Sequence, residues 1–190
     1  MTYVGTMDTM TAIMTRHSVP KVKPDAVPRE LIEKLLDAGN AAPNHYKVRP
    51  WRFVVLTGAA RERLAEAMLA GELERRPDLP PEGFEKVRGR ALRAPVLIAV
   101  GVDKPTEAKV LEIENICAAA AACENIWLAA HALGLGAKWR TENVADRQVK
   151  ELLGFAPDQH VISILYIGYP ESEMVVTERP AAADRVTWME

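Results

Sequence analysis

The sequence predicts a layered α/β domain, with one sheet of about four strands covered by helices on both faces. Three observations predict it. Apolar runs of strand length, "RFVVL" at 52–56, "APVLIAVGV" at 94–102 and "HVISILYIGYP" at 160–170, alternate with stretches whose apolar residues recur at helical spacing. The run at 160–170 is apolar on both faces, which places it in the middle of a sheet. The helix-to-strand order is irregular and no GxGxxG occurs, which disfavours a Rossmann fold.

"MDTMTAIMTRHS" at 7–18 carries Met10, Ile13 and Met14 at helical spacing, with Asp8 or Thr6 as the cap. Arg16 and His17 fall in or just after its last turn. A Pro-rich loop, "VPKVKPDAVP", follows. Pro28 is a good first helical residue, and Leu31, Ile32, Leu35, Leu36 and Gly39 form the stripe of the helix it starts, with Asn40 near its end. "AARERLAEAMLAGELERRP" is a charged amphipathic helix closed by Pro77, and "PEGFEKVRGRALRA" a shorter one. "TEAKVLEIENICAAAAACENIWLAAHALGLG" predicts one long helix over Glu107–Leu133, apolar nearly all round in its Ala-rich middle. Such a helix must be buried on most faces, in the core or in a subunit interface. Gly134 ends it. "AKWRT" is a short strand, "VADRQVKELLG" a capped helix, and the tail from Glu171 is polar, with Trp188 near its end.

The length of 190 residues suits a single domain over 1–190, because domains run to about 100–200 residues. The net charge of −2 offers no general attraction for nucleic acid or anionic membrane, and no apolar run approaches the ~20 residues that span a bilayer. The N-terminus lacks the basic and apolar regions of a signal peptide. Cys117 and Cys123 sit among alanines and read as buried free thiols, compatible with a reducing, cytoplasmic compartment.

The four histidines, His17, His45, His131 and His160, have no metal-ligand spacing. His131 and His160 read as structural. There is no GxSxG elbow and no P-loop lysine motif. A cofactor should therefore carry any hard chemistry. The basic groups gather at element boundaries: Arg16, His17 and Ser18 with Lys21; Lys47 and Arg49; Lys138 and Arg140 flanking Trp139. Such clusters can bind phosphate. They are equally consistent with cations at a helix C-terminus and solvated charge.

Taken in order, "TRHSVPK" at 15–21, "AAPNHYKVRPWRFVVL" at 41–56, "LAAHALGLGAKWR" at 128–140 and "IGYP" at 167–170 resemble the FMN-dependent nitroreductase family, over almost the whole chain. The short length and "KWRT" are most similar to its small, minimal NAD(P)H nitroreductase branch. The resemblance implies an α+β fold, a three-layer α/β/α sandwich with a mixed, mostly antiparallel sheet. It also implies an intertwined homodimer with FMN at the interface. By motif position, Arg16, His17 and Ser18 bind the FMN phosphate and ribityl chain, and Lys21 lies near the pyrimidine edge of the flavin. Asn44 and His45 reach the partner's FMN, while Pro50 and Trp51 lock their loop to the sheet. Trp139, Arg140 and Thr141 pack along the cofactor, with Arg140 reaching phosphate. His45, Lys47 and Arg49 depart from the Ser, Asn and Gln common in that loop; the cations, Arg49 among them, either favour an anionic substrate or nicotinamide phosphates, or are solvated.

The implied activity is ping-pong hydride transfer from NADH or NADPH through FMN to a small acceptor such as a nitroaromatic or quinone, with no catalytic side chain assigned. Alternatives are a specialised flavoenzyme, reducing C=C or C=O bonds or dehalogenating, and a non-enzymatic flavin-binding dimer. Specialised relatives carry an added lid, for which this chain has room only between Gly71 and Gly89.

Overall fold

Four strands and six helices make up the computed structural model, which describes residues 7–173 and 178–190. Thr6, one of the two candidate caps, lies outside them. Helix α1 (Thr9–Thr15) is capped by Asp8, whose carboxylate accepts the Thr11 amide at 3.0 Å. Helix α2 (Arg29–Asn40) buries Ile32, Leu35 and Gly39, as its stripe predicts. Then come β1 (Trp51–Leu56), α3 (Ala59–Arg75), α4 (Pro81–Ala91), β2 (Val96–Val102), α5 (Glu112–Ala132), β3 (Gly136–Arg140), α6 (Arg147–Leu153) and β4 (His160–Gly168).

The strands lie in the order β1-β2-β4-β3, and each neighbouring pair is antiparallel. The two apolar runs β2 and β4 are the inner strands. Helices α2 and α5 cover one face, over Val96, Ile98, Val100, Leu165 and Ile167. Helices α3, α4 and α6 cover the other, over Leu97, Ala99, Ile164 and Tyr166. This is the three-layer α+β sandwich the resemblance implies.

One irregularity re-aims β4. Val100 pairs with Ser163 but Gly101 pairs with Val161, so Ile162 is an extra residue in the ladder. Such a bulge reverses the side-chain parity beyond it. Val161 therefore shares a face with Ile164 and Tyr166, while Ile162 turns to the α5 face with Leu165. Opposite the bulge, a Cβ on Gly101 would overlap the buried Phe155 ring. Gly101→Ala is expected to lower stability by about 2 kcal/mol. Urea midpoints check this, and the loss should shrink when Phe155→Leu is combined with it.

Two expectations need correction. The long helix starts at Glu112, not Glu107. Residues 107–110 form a turn, with the Val110 amide on the Glu107 carbonyl, and the Glu114 carboxylate closes the first helical turn on the Leu111 amide at 3.1 Å. Cys123 is buried, but Cys117 is exposed, because it lies on the side of α5 that the rest of the chain leaves uncovered. Gly134, at φ +76°, does end the helix, and the Leu135 amide turns back to the Ala130 carbonyl at 2.8 Å.

Candidate functional site

The segment after α1 runs along the outer edge of β3. The Val19 amide donates to the Ala137 carbonyl at 3.0 Å, and Val19 packs so closely on Gly136 that a Cβ there would lie 2.8 Å from its side chain. This contact, rather than the flexibility of a turn, is what glycine at 136 permits.

Just upstream, Arg16 turns towards α5. Its guanidinium lies 4.0 Å from the centre of the Trp127 ring, and Nε is 3.0 Å from Glu124. The pairing is not a hydrogen bond in angle, so Arg16 Nε is buried without an acceptor, as is Trp127 Nε1. Two buried donors thus stand unanswered side by side, where most such groups find partners. His17 holds Nδ1 at 3.0 Å from the Thr15 carbonyl. His131 is buried and meets the Thr15 hydroxyl at 2.7 Å. Burial, then the neighbouring His17 and Arg16, push its pKa down, so His131 is a neutral structural group. Ser18 and Lys21 are exposed, and Lys21 lines a cleft of about 480 Å³ with His17 and Glu171–Glu173.

The stretch 42–51 is held in an uncommon shape. Tyr46, Lys47 and Arg49 all have φ between 46° and 56°, a region non-glycine residues rarely enter. Asn44 Oδ1 accepts the Arg49 amide at 2.8 Å and so staples the loop shut. Pro50 is buried, and Trp51 Nε1 donates to Asn40 at 3.2 Å. Trp51 is thus a core residue. With this shape His45 faces α5, its Nδ1 2.9 Å from Glu114. Between loop and helix opens a cleft of about 430 Å³, apolar on the side of Pro43, Ile113, Cys117 and Ala121. Arg49 borders a separate cleft with Asn40 and Trp51, and Lys47 is exposed.

Strand β3 divides its residues between the faces of the sheet. Trp139 joins the α5 core, 6.4 Å from the Trp127 ring. Lys138 and Arg140 turn the other way, towards Tyr166, beside Val19 and Pro20. Arg140 is claimed by the Glu142 carboxylate, which it holds below the ordinary carboxylate range. Burial pushes the Tyr166 hydroxyl up to about 12. Thr141 is exposed. The structure therefore brings Arg16, His17, Trp127 and Trp139 together on the α5 face. It leaves Lys138 and Arg140 across the β3 edge.

Sequence reading missed four contributors. Arg179 returns from the tail to the carbonyls of Met14 and Arg16, with no local signal to announce it. Glu114 is 69 residues from His45. Glu124 and Trp127 were legible as an i, i+3 pair on one helical face. Residues 71–89, the possible lid, pack in α3 and α4 on the opposite side of the sheet, away from the α5 cleft. Among the described residues, no group of His, Cys, Asp and Glu could hold a metal, and no helix is long and apolar enough to cross a membrane.

Fold and site define an α+β protein with an apolar cleft on one long helix and an arginine stacked against the same helix. The model of the nitroreductase family matches residues 13–169, and the chain belongs to that family. A protein of Methanothermobacter thermautotrophicus named "Putative NADH dehydrogenase/NAD(P)H nitroreductase" is 36% identical over 170 residues, 88% of this chain and 80% of its own. The crystal structure of a nitroreductase-like family protein from Bacillus cereus superposes with a TM-score of 0.85 at 25% identity, covering all of both chains. A "putative nitroreductase in complex with FMN" from Desulfovibrio desulfuricans superposes with a TM-score of 0.73 at 26% identity, over 97% of this chain and 99% of its own.

Proposed function

We propose that this chain is an FMN-dependent NAD(P)H oxidoreductase that acts as a homodimer on small organic acceptors such as nitroaromatics or quinones. The observation that carries the reading is a pair of buried donors without hydrogen-bond acceptors, Arg16 Nε just after α1 and Trp127 Nε1 on α5, the helix that also walls the apolar cleft. FMN joins an anionic phosphate and polar ribityl chain to a flat apolar ring, so the basic groups after α1 suit its one part and the apolar cleft its other. When bound, it carries hydride from NADH or NADPH to the acceptor in two half-reactions.

The chain's own residues bind and position. Arg16, His17, Ser18 and Arg179 supply donors to the phosphate and ribityl chain. Lys21 puts a cation at the edge of the same segment. Trp139, with Trp127, forms a wall. Pro43, Ile113 and Cys117 give the cleft its apolar side, and Asn44 shapes the loop that brings His45 to the flavin of the partner copy. Lys138 and Arg140 form a positive rim across β3, with Thr141 at its end. The exposed apolar residues of α1 and of the start of α5, Met10, Met14 and Ile113 among them, suit burial in the dimer.

Anaerobic stopped-flow mixing of FMN-loaded protein with NADH and then NADPH tests this. Rapid bleaching of flavin absorbance, followed by recovery on adding a nitroaromatic or quinone, is expected. Flavin that stays oxidised with both donors would move the weight to a non-enzymatic or specialised flavin role.

A further inference from the structure

We propose that His45, oriented by Glu114, is the proton donor to the acceptor in the α5 cleft. The proposal rests on the reductase reading above and gives it the acid that a hydride transfer alone lacks.

The ring is held on two sides. Nδ1 lies 2.9 Å from Glu114 Oε1, and Tyr46 stacks on the imidazole at 3.9 Å between centroids and 20° between planes. The Lys109 ammonium sits 4.7 Å from the Tyr46 ring. Glu114 is fixed in turn, since its other oxygen accepts the Leu111 amide at 3.1 Å. That amide first, and His45 second, hold its carboxyl below the ordinary range, so it is an anion at neutral pH. A carboxylate only accepts, so Nδ1 carries a proton and Nε2 is the position free to give or take one. Among the described residues Nε2 has no protein partner. The His45 side chain is 53% exposed in the single chain and lines the α5 cleft. The charged and titratable groups around it are Glu114 and Cys117 from α5, Lys109 from the turn before it, and Tyr46, Lys47 and Arg49 from its own loop.

Reduction of a quinone to a hydroquinone consumes two electrons and two protons. Hydride brings both electrons and one proton. His45 gives the second: its Nε2–H bond breaks, an O–H bond forms on the acceptor oxygen, and Nδ1–H stays on Glu114. The neutral imidazole then takes a proton from water. Acceptors that need a proton on a heavy atom are therefore favoured over those that take electrons alone.

Two measurements test this. The first needs no cofactor: the ring-nitrogen NMR shifts of the neutral His45 imidazole, which report its tautomer, in the wild type and in Glu114→Gln. Glutamine keeps the amide contact at the start of α5 but removes the charge. The Nδ1–H tautomer is expected in the wild type and a mixture in the variant, and a wild-type ring protonated on Nε2 instead overturns the proposal. The second uses FMN-loaded protein reduced with dithionite, reoxidised by benzoquinone or by ferricyanide, which takes one electron and no proton. His45→Gln is expected to slow the quinone reaction about 100-fold. It should leave ferricyanide within about twofold. Equal slowing of both, or an unchanged quinone rate, overturns the proposal. Because dithionite supplies the electrons, inertness towards NADH and NADPH sinks the reductase reading while the quinone comparison still stands. Protein that takes up no FMN overturns both.

Discussion

Glu72→Ala is expected to lower stability by about 3 kcal/mol, because it removes the one buried carboxylate on which three partly exposed arginines converge. Glu72 is 6% exposed on α3. Its carboxylate accepts from Arg75 and Arg90 at 2.9 Å and from Arg76 at 3.4 Å. Arg90 continues to Asn143 at 3.1 Å, Arg75 pairs with Asp146, and Asn143 donates to Asp146 at 2.8 Å. One carboxylate thus ties α3 and α4 to the turn that starts α6. For a chain of this size the loss corresponds to a fall of roughly 10 °C in Tm, read by circular dichroism on FMN-free protein. Glu72→Gln separates charge from shape.

The same group carries a pH signature. Burial pushes its pKa up, but the hydrogen bond from Arg90 and the charges of Arg90 and Arg75 outweigh it, so the folded value is lowered from 4.5. A lowered carboxylate stabilises the fold above its unfolded pKa and loses that contribution as pH falls through the folded value. The gap between wild type and Glu72→Gln is therefore expected to be full at pH 7 and to close well below pH 4.5. A gap that persists at low pH would assign the loss to packing.

Arg16→Ala is expected to weaken FMN binding about 100-fold, in line with the loss of charge-assisted bonds worth ~2–3 kcal/mol. The expectation follows from position. The guanidinium is 15% exposed, stacked on Trp127 and beside Glu124, so it is pre-ordered before any anion arrives. Arg16→Lys should recover only part of the loss, because an ammonium keeps the charge but neither the planar stack nor the forked donors. Quenching of FMN fluorescence on titration reads the affinity. A Kd unchanged in Arg16→Ala would make the residue a structural partner of Glu124 alone.

Elements with strong local signals were legible in the sequence. The Asp8 cap, the stripe of α2, the apolar strands β2 and β4 and the Gly134 stop each depend on residues within a few positions of one another. Ordered motifs at 15–21, 41–56 and 128–140 pointed to the family. The start of α5 was misplaced because Glu107–Val110 has helical composition, while the side chain that closes the first turn is Glu114, inside the helix. The burial of Cys117 was misjudged because an Ala-rich helix reads as buried all round, whereas one chain covers only part of it.

Local composition and spacing determined which segments are helix and strand and which of them belong to the core, because those choices are settled by backbone propensity and by apolar periodicity. Only the tertiary structure decided which side chains meet. The β4 bulge reversed the faces of Val161 and Ile162, and the pleat of β3 sent Trp139 towards α5 but Arg140 away from it. Chain reversal set Glu114 against His45, Trp127 under Arg16 and Arg179 on the end of α1. Contacts between residues so far apart in sequence depend on how whole elements pack, and no local pattern records them.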